Sequence, residues 1–363
     1  MRIAHIGSKG LPSKGGTERV VEAIATRHAA LGHDVTVYGS QRVCRSTSYC
    51  RVRVVALPVP ANKYFGPVLL AVHSALRALV AGYDVVHVHG AENAFVVPIV
   101  RLRSRVVTTN HGPAYKREKW GRLARAMIRS LERGSVRWAT VATAVSAPQA
   151  DALSARHGVR VHYLPNGVDC RISPNRLAAA DVLASIGLEP HGYVMFAAAR
   201  VDPTKGCLTA IRAWRAAKTA LPLLVVGDLW HAAGHEAELR EAAKGASVFF
   251  IPRVEETDVL HGLVAESALF LFPSTVEAMS MMLLEAVSTG ARVIASDIAE
   301  NLAILPRGFR TFRAGDETDL ARAIVSALSE SGLDSESLDA QFASEVVRTF
   351  DWDSIAAHYL DPA

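Results

Sequence analysis

The sequence predicts an α/β protein of two domains, each containing a parallel β-sheet with helices on both faces. Its length of 363 residues accommodates about two domains of ~150 residues each. Half of the residues are apolar and 21% are charged, so each domain can bury an ordinary globular core. Short β-branched runs alternate with segments of helical periodicity, which is the pattern of parallel sheets covered by helices.

The predicted strands fall into two series. Those of the first half are RIAHIGS, HDVTVYGS, RVRVVAL, DVVHVHG, RVVTTNHG, ATVATAVS and VRVHYLP, and those of the second half are YVMFAAAR, PLLVVGD, VFFIPR, LFLFPS, RVIASD and FRTFRA. Each half resembles a Rossmann-type layered domain. The segment 164–175 between them is rich in Pro, Gly, Asn and Asp, as turns are. We therefore expect an N-terminal domain over 1–168, a C-terminal domain over 169–350, and a last helix in FDWDSIAAHYL.

Composition and charge restrict the partners and the compartment. The net charge of +5 and the pI of about 9.1 fit an anionic ligand such as a nucleotide, or an anionic membrane surface. No aromatic-basic RNA motif, zinc-finger spacing or basic-zipper spacing is found, so nucleic acid is not an expected partner. The four cysteines lack CxxC spacing and are expected to be free thiols. MRIAHIGS has no signal-peptide layout and no apolar run is as long as a membrane span, which predicts a cytoplasmic protein, soluble or peripheral.

A glycine-rich loop follows the first predicted strand, in GSKGLPSKGGTERVVE. Gly15 and Gly16 permit a tight turn before a helix predicted to begin near Thr17, and the free N–H groups of a helix start favour phosphate. The loop matches neither G-x-G-x-x-G nor the Walker A pattern. The second strand ends in YGSQRV without the acidic residue that holds a dinucleotide ribose, which argues against a dehydrogenase. A glycine turn without a ligand is the alternative.

Two cations follow the first predicted strand of the second half, in AAARVDPTKG. Arg200 lies at the end of the strand, and Lys205 lies in the loop before the next helix. Ligands of parallel α/β sheets bind at the carboxyl ends of the strands. Two cations there would neutralise a diphosphate, Arg through its planar fork and Lys as a point charge. Ordinary solvated cations at a loop edge are the alternative.

The stretch STVEAMSMMLLEAVSTG, 274–290, places two carboxylates around the start of a predicted helix. Glu277 lies in the loop between strand and helix, where it could hold sugar hydroxyls. Glu285 lies in an early helical turn and could accept hydrogen bonds from a ribose diol. The backbone amides of 280–283 would point toward a diphosphate. The alternative is that both acids only offset the helix dipole.

The order strand, Glu277, loop, helix, Glu285, continued by LLEAVSTGARVIASDIAEN, resembles the E-x7-E signature of retaining glycosyltransferases of family 4. That family has the GT-B fold, with two Rossmann-like domains whose parallel sheets face a central cleft. AARVDPTKG resembles its diphosphate clamp, LPNGVD its interdomain linker, and 351–363 the helix that packs back on the N-terminal domain. GSKGLPSKGGTERVVE and HGPAYKREKWGRLAR are similar to bacterial surface-polysaccharide transferases, rhamnosyltransferases among them.

The resemblance implies metal-independent transfer of a hexosyl group from a nucleotide diphosphate sugar to a hydroxyl of a saccharide or lipid-linked acceptor, without a cofactor. The catalytic residues it implies are Arg200, Lys205, Glu277 and His111. The implied donor-binding residues are Gly15, Gly16, Arg253, Val254, Ser280, Met281, Met282, Leu283 and Glu285. The implied acceptor contacts are His89 and Asn110. For His111, a hydrogen-bonded structural role is the alternative.

Two departures from the family pattern affect the expected geometry. Many members have glycines after the first glutamate, whereas EAMSM contains Ala278 and Ser280, so this loop is expected to be stiffer. FIPRVEE contains Pro252 where a glycine is common. The turn expected to meet the nucleobase, at Arg253 and Val254, is therefore expected to differ as well.

KWGRLARAMIRSLERGSVRW predicts a helix over 117–134 with separate basic and apolar stripes. The basic stripe is Arg122, Arg125, Arg129 and Arg133, and the apolar stripe is Trp120, Leu123, Met127 and Leu131. Such a helix could rest on anionic lipid at the inner face of the plasma membrane. The alternative is an ordinary amphipathic helix whose basic face is solvated.

Two other functions remain open at this point. A nucleotide-sugar epimerase or hydrolase on the same fold would process the donor without an acceptor, and a non-catalytic protein would bind the nucleotide sugar only. The tripeptide DWD, 351–353, matches a D-x-D metal motif. A capping aspartate near the start of the last helix explains it without a metal, so no metal site is expected.

Overall fold

The computed structural model describes residues 1–12, 15–62, 65–113, 121–169, 172–229, 233–330 and 333–360. The chain folds as two compact units. The first consists of Met1–Gly167 and Trp352–Ala363, and the second of Val168–Asp351. Within the part of the chain that the structure describes, no helix combines the length and the apolar character needed to cross a membrane.

The first unit contains an eight-stranded sheet in the order β3-β4-β2-β1-β5-β6-β7-β8. Its strands are β1 Arg2–Ile6, β2 Asp34–Ser40, β3 Ser48–Tyr49, β4 Val52–Leu57, β5 Val85–His89, β6 Arg105–Asn110, β7 Val141–Ala144 and β8 Val161–Tyr163. All neighbours pair in parallel except β3 and β4. Every strand predicted for this half is present. The strand β3 was not predicted, because two residues are too few to show the alternating pattern of a strand. Cys50 and Arg51 form the tight turn between β3 and β4, with positive φ angles of 45° and 66°.

Helices cover the faces of this sheet. They are α1 Gly16–Ala30, α2 Phe65–Ala81, α3 Val97–Val100, α4 Arg122–Arg137 and α5 Ala147–His157, and a 3₁₀ turn spans Ala91–Val96. The valines and isoleucines of the central strands are buried on both faces, which is why these strands are apolar runs without alternation. The helix predicted over 117–134 begins at Arg122 and ends at Arg137 in the structure; residues 114–120 lie outside the described residues.

The second unit contains a six-stranded parallel sheet in the order β11-β10-β9-β12-β13-β14. Its elements are α6 Arg176–Ser185, β9 Val194–Arg200, α7 Cys207–Ala217, β10 Leu223–Asp228, α8 Ala233–Ala242, β11 Val248–Ile251, α9 Thr257–Ala265, β12 Leu269–Phe272, α10 Met281–Ser288, β13 Val293–Ser296, α11 Ala299–Leu302, β14 Thr311–Phe312, α12 Glu317–Ser329 and α13 Leu333–Thr349. Every predicted strand is again present. The cluster around Phe196, Ile211 and Leu271 forms the core between sheet and helices.

The last helix, α14 Trp352–Leu360, packs on α1 of the first unit. Asp353 accepts a hydrogen bond from Nε of Arg27 at 2.6 Å, and Nε2 of His28 lies 2.8 Å from the carbonyl oxygen of Ala356. The hydroxyl of Tyr359 donates to the carbonyl oxygen of Leu164. Asp353, one aspartate of the DWD motif, is therefore paired with an arginine of α1.

Candidate functional site

Two loops of the second unit meet at the carboxyl edge of its sheet. The strands β9 and β12 are neighbours in this sheet, so the loops that follow them leave its edge side by side. The amide of Thr275 donates to the carbonyl oxygen of Thr204 at 2.8 Å, which joins the two loops. Nζ of Lys205 lies 2.7 Å from Oε1 of Glu277. Two predicted site residues, distant in sequence, thus form one ion pair.

A capping aspartate and a glycine bring the loop after β9 close to the loop after β12. The side chain of Asp202 accepts a hydrogen bond from the amide of Thr204 at 3.0 Å and so begins the 3₁₀ turn Pro203–Lys205. Gly206 has a φ of +72°, and a Cβ there would lie 2.1 Å from the carbonyl oxygen of Pro273. Only glycine fits this position. The contact brings the loop after β12 against Lys205.

The two predicted cations of this edge differ in exposure and in partners. The Glu277 side chain is 10% exposed and that of Lys205 29%, so water screens their interaction only partly. Arg200, the last residue of β9, is exposed. Two cations therefore lie on one strand–loop segment, and one of them already has a carboxylate partner.

The start of α10 lies at the same edge. Ser280 is its N-cap, and its hydroxyl oxygen accepts a hydrogen bond from the amide of Leu283 at 3.3 Å. The amide of Leu283, which was predicted to face a diphosphate, therefore donates to the cap in this structure. The amides of Met281 and Met282, in the same first turn, are the ones with the right position for an anion.

Glu285 lies in the second turn of α10 and is buried. Its Oε2 lies 3.5 Å from Nε2 of His261, a buried residue of α9. His261 was not predicted from the sequence, since nothing in DVLHGLVA distinguishes it from an ordinary helical histidine. The other predicted donor residues of this unit, Arg253 and Val254, follow the edge strand β11. Nη2 of Arg253 lies 3.3 Å from Oε2 of Glu255.

The glycine loop of the first unit forms the start of α1. Gly15 is the N-cap of this helix and Gly16 its first residue, one position before the predicted start. A Cβ at Gly15 would lie 2.5 Å from Oε2 of Glu18, and a Cβ at Gly16 would meet nothing within 4 Å. Glu18 in turn accepts from the amide of Lys9 at 3.4 Å. The carboxylate of Glu18 thus lies in the first turn of α1. Its contacts with the glycine loop were not predicted from the sequence.

His111, just after β6, ends a row of histidines in the first unit. Its Nε2 lies 3.1 Å from Nδ1 of His89, and Nε2 of His89 lies 3.0 Å from Nδ1 of His5. The rings of His87 and His89 stack with centroids 4.0 Å apart, as their alternate positions on one strand predict. His87 bonds to Thr109 at 2.6 Å. The contacts of His5 with His89 and of His89 with His111 could not be read from the sequence, because they join residues of β1, of β5 and of the segment after β6.

The two residues predicted to contact the acceptor, His89 and Asn110, are both buried in the first unit. His89 is 0% exposed and Asn110 is 1% exposed, because both strand ends are covered. The amide of Asn110 donates to the carbonyl oxygen of Thr143 at 3.2 Å and its oxygen accepts from Ser135 at 3.1 Å. The polar atoms of Asn110 are therefore paired with Thr143 and Ser135, and those of His89 with His5 and His111.

Four buried histidines of the first unit, His5, His28, His87 and His89, are uncharged near neutral pH. Burial lowers the pKa of His5 to about 3 and that of His28 to about 4. Burial, with the other rings as a second cause, holds the pKa values of His87 and His89 well below the usual range. Among the described residues, His5, His87 and His89 bring ring nitrogens within 4.8 Å of one another. Since two of these rings bond to each other and the third to Thr109, we interpret the group as a hydrogen-bonded core.

These pKa values predict how stability depends on pH. In the unfolded chain each histidine takes up a proton below about pH 6.5, whereas in the fold His5 and His28 do so only near 3 and 4. The unfolded state then binds more protons, so the free energy of unfolding falls as the pH drops from about 6.5 toward 4. Each such histidine contributes at most about 1.4 kcal/mol per pH unit.

Denaturant unfolding of the full chain between pH 4 and 7 measures this slope. We expect His5→Phe to have a shallower slope than the wild type. Equal slopes in the wild type and His5→Phe would contradict the assignment of His5 as buried and neutral.

The helix α4 is exposed on more than its basic stripe. Arg122, Arg125, Arg129 and Arg133 all lie at the surface. Leu123 is 86% and Met127 59% exposed, although both belong to the predicted apolar stripe. Ile128 and Val136 face the interior instead. Trp120 lies outside the described residues. The helix therefore presents basic and apolar side chains together to its surroundings.

Comparison with known proteins agrees with this architecture. The model of Glycosyltransferase Family 4 matches residues 14–171, and that of Glycosyl transferases group 1 matches residues 192–330. Phosphatidyl-myo-inositol mannosyltransferase of Mycolicibacterium smegmatis is 24% identical over 378 residues, which cover 99% of this chain and 92% of that protein. The protein of the same name from Mycobacterium leprae is 27% identical, over 99% and 96%.

Solved structures share the fold over the whole chain. Sucrose-phosphate synthase of Thermosynechococcus elongatus has a TM-score of 0.80 at 21% identity, covering 99% of this chain and 98% of its own. HepE of Anabaena, in complex with UDP and glucose, has a TM-score of 0.81 at 18% identity, covering 100% and 99%.

Proposed function

This chain belongs to glycosyltransferase family 4 and has its GT-B fold, and from this premise we propose that it transfers a hexosyl group from a nucleotide diphosphate sugar, with retention of the anomeric configuration. The acceptor is a hydroxyl of a saccharide or of a lipid-linked saccharide. The observation that carries the proposal is the pair of Lys205 and Glu277 at the carboxyl edge of β9 and β12. It offers a cation for the diphosphate directly beside a carboxylate for the sugar.

The cations act where charge builds up during transfer. As the bond between the anomeric carbon and the diphosphate breaks, the sugar becomes oxocarbenium-like and negative charge grows on the departing phosphate. Lys205, Arg200 and the amides of Met281 and Met282 supply preorganised positive charge and donors for that oxygen. Glu277 holds hydroxyls of the donor sugar and keeps Lys205 extended along the loop.

The nucleoside is held further along the same sheet edge. Glu285 accepts hydrogen bonds from a ribose diol, and Nε2 of His261 lies 3.5 Å from its Oε2. Arg253 and Val254 border the nucleobase. We propose that the acceptor proton passes to the departing phosphate oxygen, so that neither a metal nor a side-chain base is required.

A donor screen followed by an activity panel tests this function. Nucleoside diphosphates that raise the melting temperature of the full chain identify the base, and the matching nucleotide sugars are then incubated with saccharide and lipid-linked acceptors. We expect a glycosylated acceptor with the anomeric configuration of the donor. An altered or hydrolysed sugar formed without acceptor would identify an epimerase or hydrolase, and affinity without turnover a binding protein; either outcome overturns the proposal.

We also propose that the protein binds an anionic membrane surface at the cytoplasmic face, where it meets its acceptor. The helices α2 and α4 both pack against the 3₁₀ turn Ala91–Val96, so they lie on one side of the first unit. On α2, Phe65 is 67% and Val80 79% exposed. These apolar side chains, with the arginines of α4, have the composition of an interfacial binding surface. A lipid-linked acceptor would be reached from such a surface.

Co-sedimentation with vesicles tests the membrane contact. Charge reversal of Arg125 and Arg133 to Glu should lower binding to phosphatidylglycerol vesicles by more than about tenfold, because each arginine near an anionic surface contributes about 1 kcal/mol. The exposed Arg322→Glu on α12 is the matched control and should bind as the wild type does. Binding that is insensitive to reversal on α4, or equal on phosphatidylcholine, would show that this helix is merely solvated.

A further inference from the structure

Two ionisable side chains of the second unit face each other in its interior. His261 lies on α9 and Glu285 in the second turn of α10, and these two helices pack together. The residues are 7% and 4% exposed, and Nε2 of His261 lies 3.5 Å from Oε2 of Glu285. Within the described part of the chain, this nitrogen has no hydrogen-bond partner of ordinary geometry. The carboxylate of Glu285 is thus the charged group beside it.

The burial of this pair requires a hydrogen between the two atoms. A bare imidazole nitrogen and a carboxylate oxygen both present lone pairs, and two such atoms side by side repel each other where burial excludes water. One of them must therefore carry a hydrogen. A carboxyl group is a stronger acid than an imidazolium group, so the hydrogen belongs on Nε2 of His261 and the negative charge on Glu285.

A donor beside one oxygen restrains the orientation of the carboxylate. The last torsion of a glutamate side chain has a broad energy minimum, so an unrestrained carboxylate can turn its oxygens in many directions. The N–H of His261 favours those orientations in which Oε2 stays beside it. The contact of 3.5 Å is longer than an ordinary N–H···O bond. Hydrogen bonds of functional sites are often long without a ligand and shorten when it binds.

We propose that His261 is a positioning residue, which keeps Glu285 ionised and aligns its two oxygens with a vicinal diol, so that the pair selects ribonucleotides over 2′-deoxyribonucleotides. This inference rests on the proposed function, in which Glu285 accepts hydrogen bonds from a ribose. A carboxylate fixed for two hydroxyls leaves one bond unmade when the sugar has only one of them, and such sites discriminate strongly. The donor is therefore a ribonucleoside diphosphate sugar.

Nitrogen NMR of the ligand-free full chain, labelled at histidine, locates the hydrogen without requiring activity. The signals of His261 are those that disappear in His261→Gln. We expect Nε2 of His261 to carry a hydrogen in the wild type. A bare Nε2 would overturn the proposal, because the hydrogen of the pair would then lie on Glu285, which would no longer be ionised.

Calorimetry of the wild type measures the selection directly. It compares UDP, GDP, ADP and CDP with their 2′-deoxy counterparts and with dTDP. We expect the ribonucleotide that binds best to lose about tenfold or more in affinity when its 2′-hydroxyl is removed. Equal affinities, or a preference for dTDP, would overturn the selection and leave the proposed function standing. If no nucleoside diphosphate binds, the proposed function fails and this role of His261 fails with it.

Two variants of nearly equal size isolate the hydrogen of His261. His261→Gln keeps an amide N–H close to the position of Nε2, whereas His261→Met has no donor. We expect His261→Gln to retain most of the discrimination against the deoxynucleotide and His261→Met to lose most of it, at similar melting temperatures. If both variants discriminate as the wild type does, His261 does not position Glu285 and the proposal is overturned.

The matched control is His191→Met in the same unit. Nε2 of His191 lies 3.4 Å from Oε2 of Glu266, so this variant also removes an imidazole from beside a carboxylate. His191 precedes β9 and therefore lies at the opposite edge of the sheet from the candidate site. The control should bind the ribonucleotide and the deoxynucleotide as the wild type does. A loss of discrimination equal to that of His261→Met would overturn the assignment to the pair of His261 and Glu285.

Discussion

Replacing Glu277 by alanine is expected to abolish transfer of the sugar while leaving the fold intact. The carboxylate is the partner of Lys205 at 2.7 Å and is 10% exposed, so its removal takes away both the sugar contact and the group that orients the lysine. Lys205 is 29% exposed and can still be hydrated, so little stability should be lost. Initial rates with a saturating donor, together with the melting temperature, measure both effects.

Glu241→Ala on α8 is the matched control for this substitution. Its side chain is 76% exposed and lies beside Lys244, so it also removes one carboxylate from an acid–lysine pair, but outside the site. It should keep the rate and the melting temperature of the wild type. Full activity in Glu277→Ala, or equal losses in the two variants, would remove Glu277 from the site.

The strands were predictable because burial on both faces leaves a local signal. In β12 all four residues of LFLF are buried, and such a run is recognisable without any knowledge of its neighbours. The strand β3 has two residues, too few for a pattern. The helix α13, Leu333–Thr349, was not predicted either, since its mixed polar sequence shows a weak apolar stripe.

The candidate site was predictable only where charged residues follow a predicted strand. Lys205 and Glu277 each follow a buried strand, and the rule that loops at the carboxyl edge share a ligand site brings them together. Strand order decides that they touch, and strand order is not local: β9 lies between β10 and β12. The partners His261 and Glu18 come from helices with no distinguishing pattern, and the row of histidines requires the order β1-β5-β6. The sequence did not show which side chains of different helices and strands pair with one another.

Lys205→Met is expected to lower kcat by about two to three powers of ten, because it removes one preorganised charge from the departing diphosphate. Arg200→Met should act in the same way, and the double variant should lose less than the product of both effects if the two cations share one phosphate group. The nucleoside alone should bind each variant as it binds the wild type, whereas the nucleoside diphosphate should bind more weakly. Calorimetry with both ligands, beside initial rates, measures the difference.

The matched control is Lys244→Met, which removes a lysine that is 78% exposed and lies 3.8 Å from Glu241. It has the same change of charge and size outside the site and should keep kcat and diphosphate affinity. Lys205→Arg is informative as well: the charge is kept, but a planar fork replaces the point charge, so an intermediate rate is expected. If Lys205→Met kept kcat within about twofold, the charge of Lys205 would not act on the leaving group. The ion pair with Glu277 would then be an ordinary link between two loops.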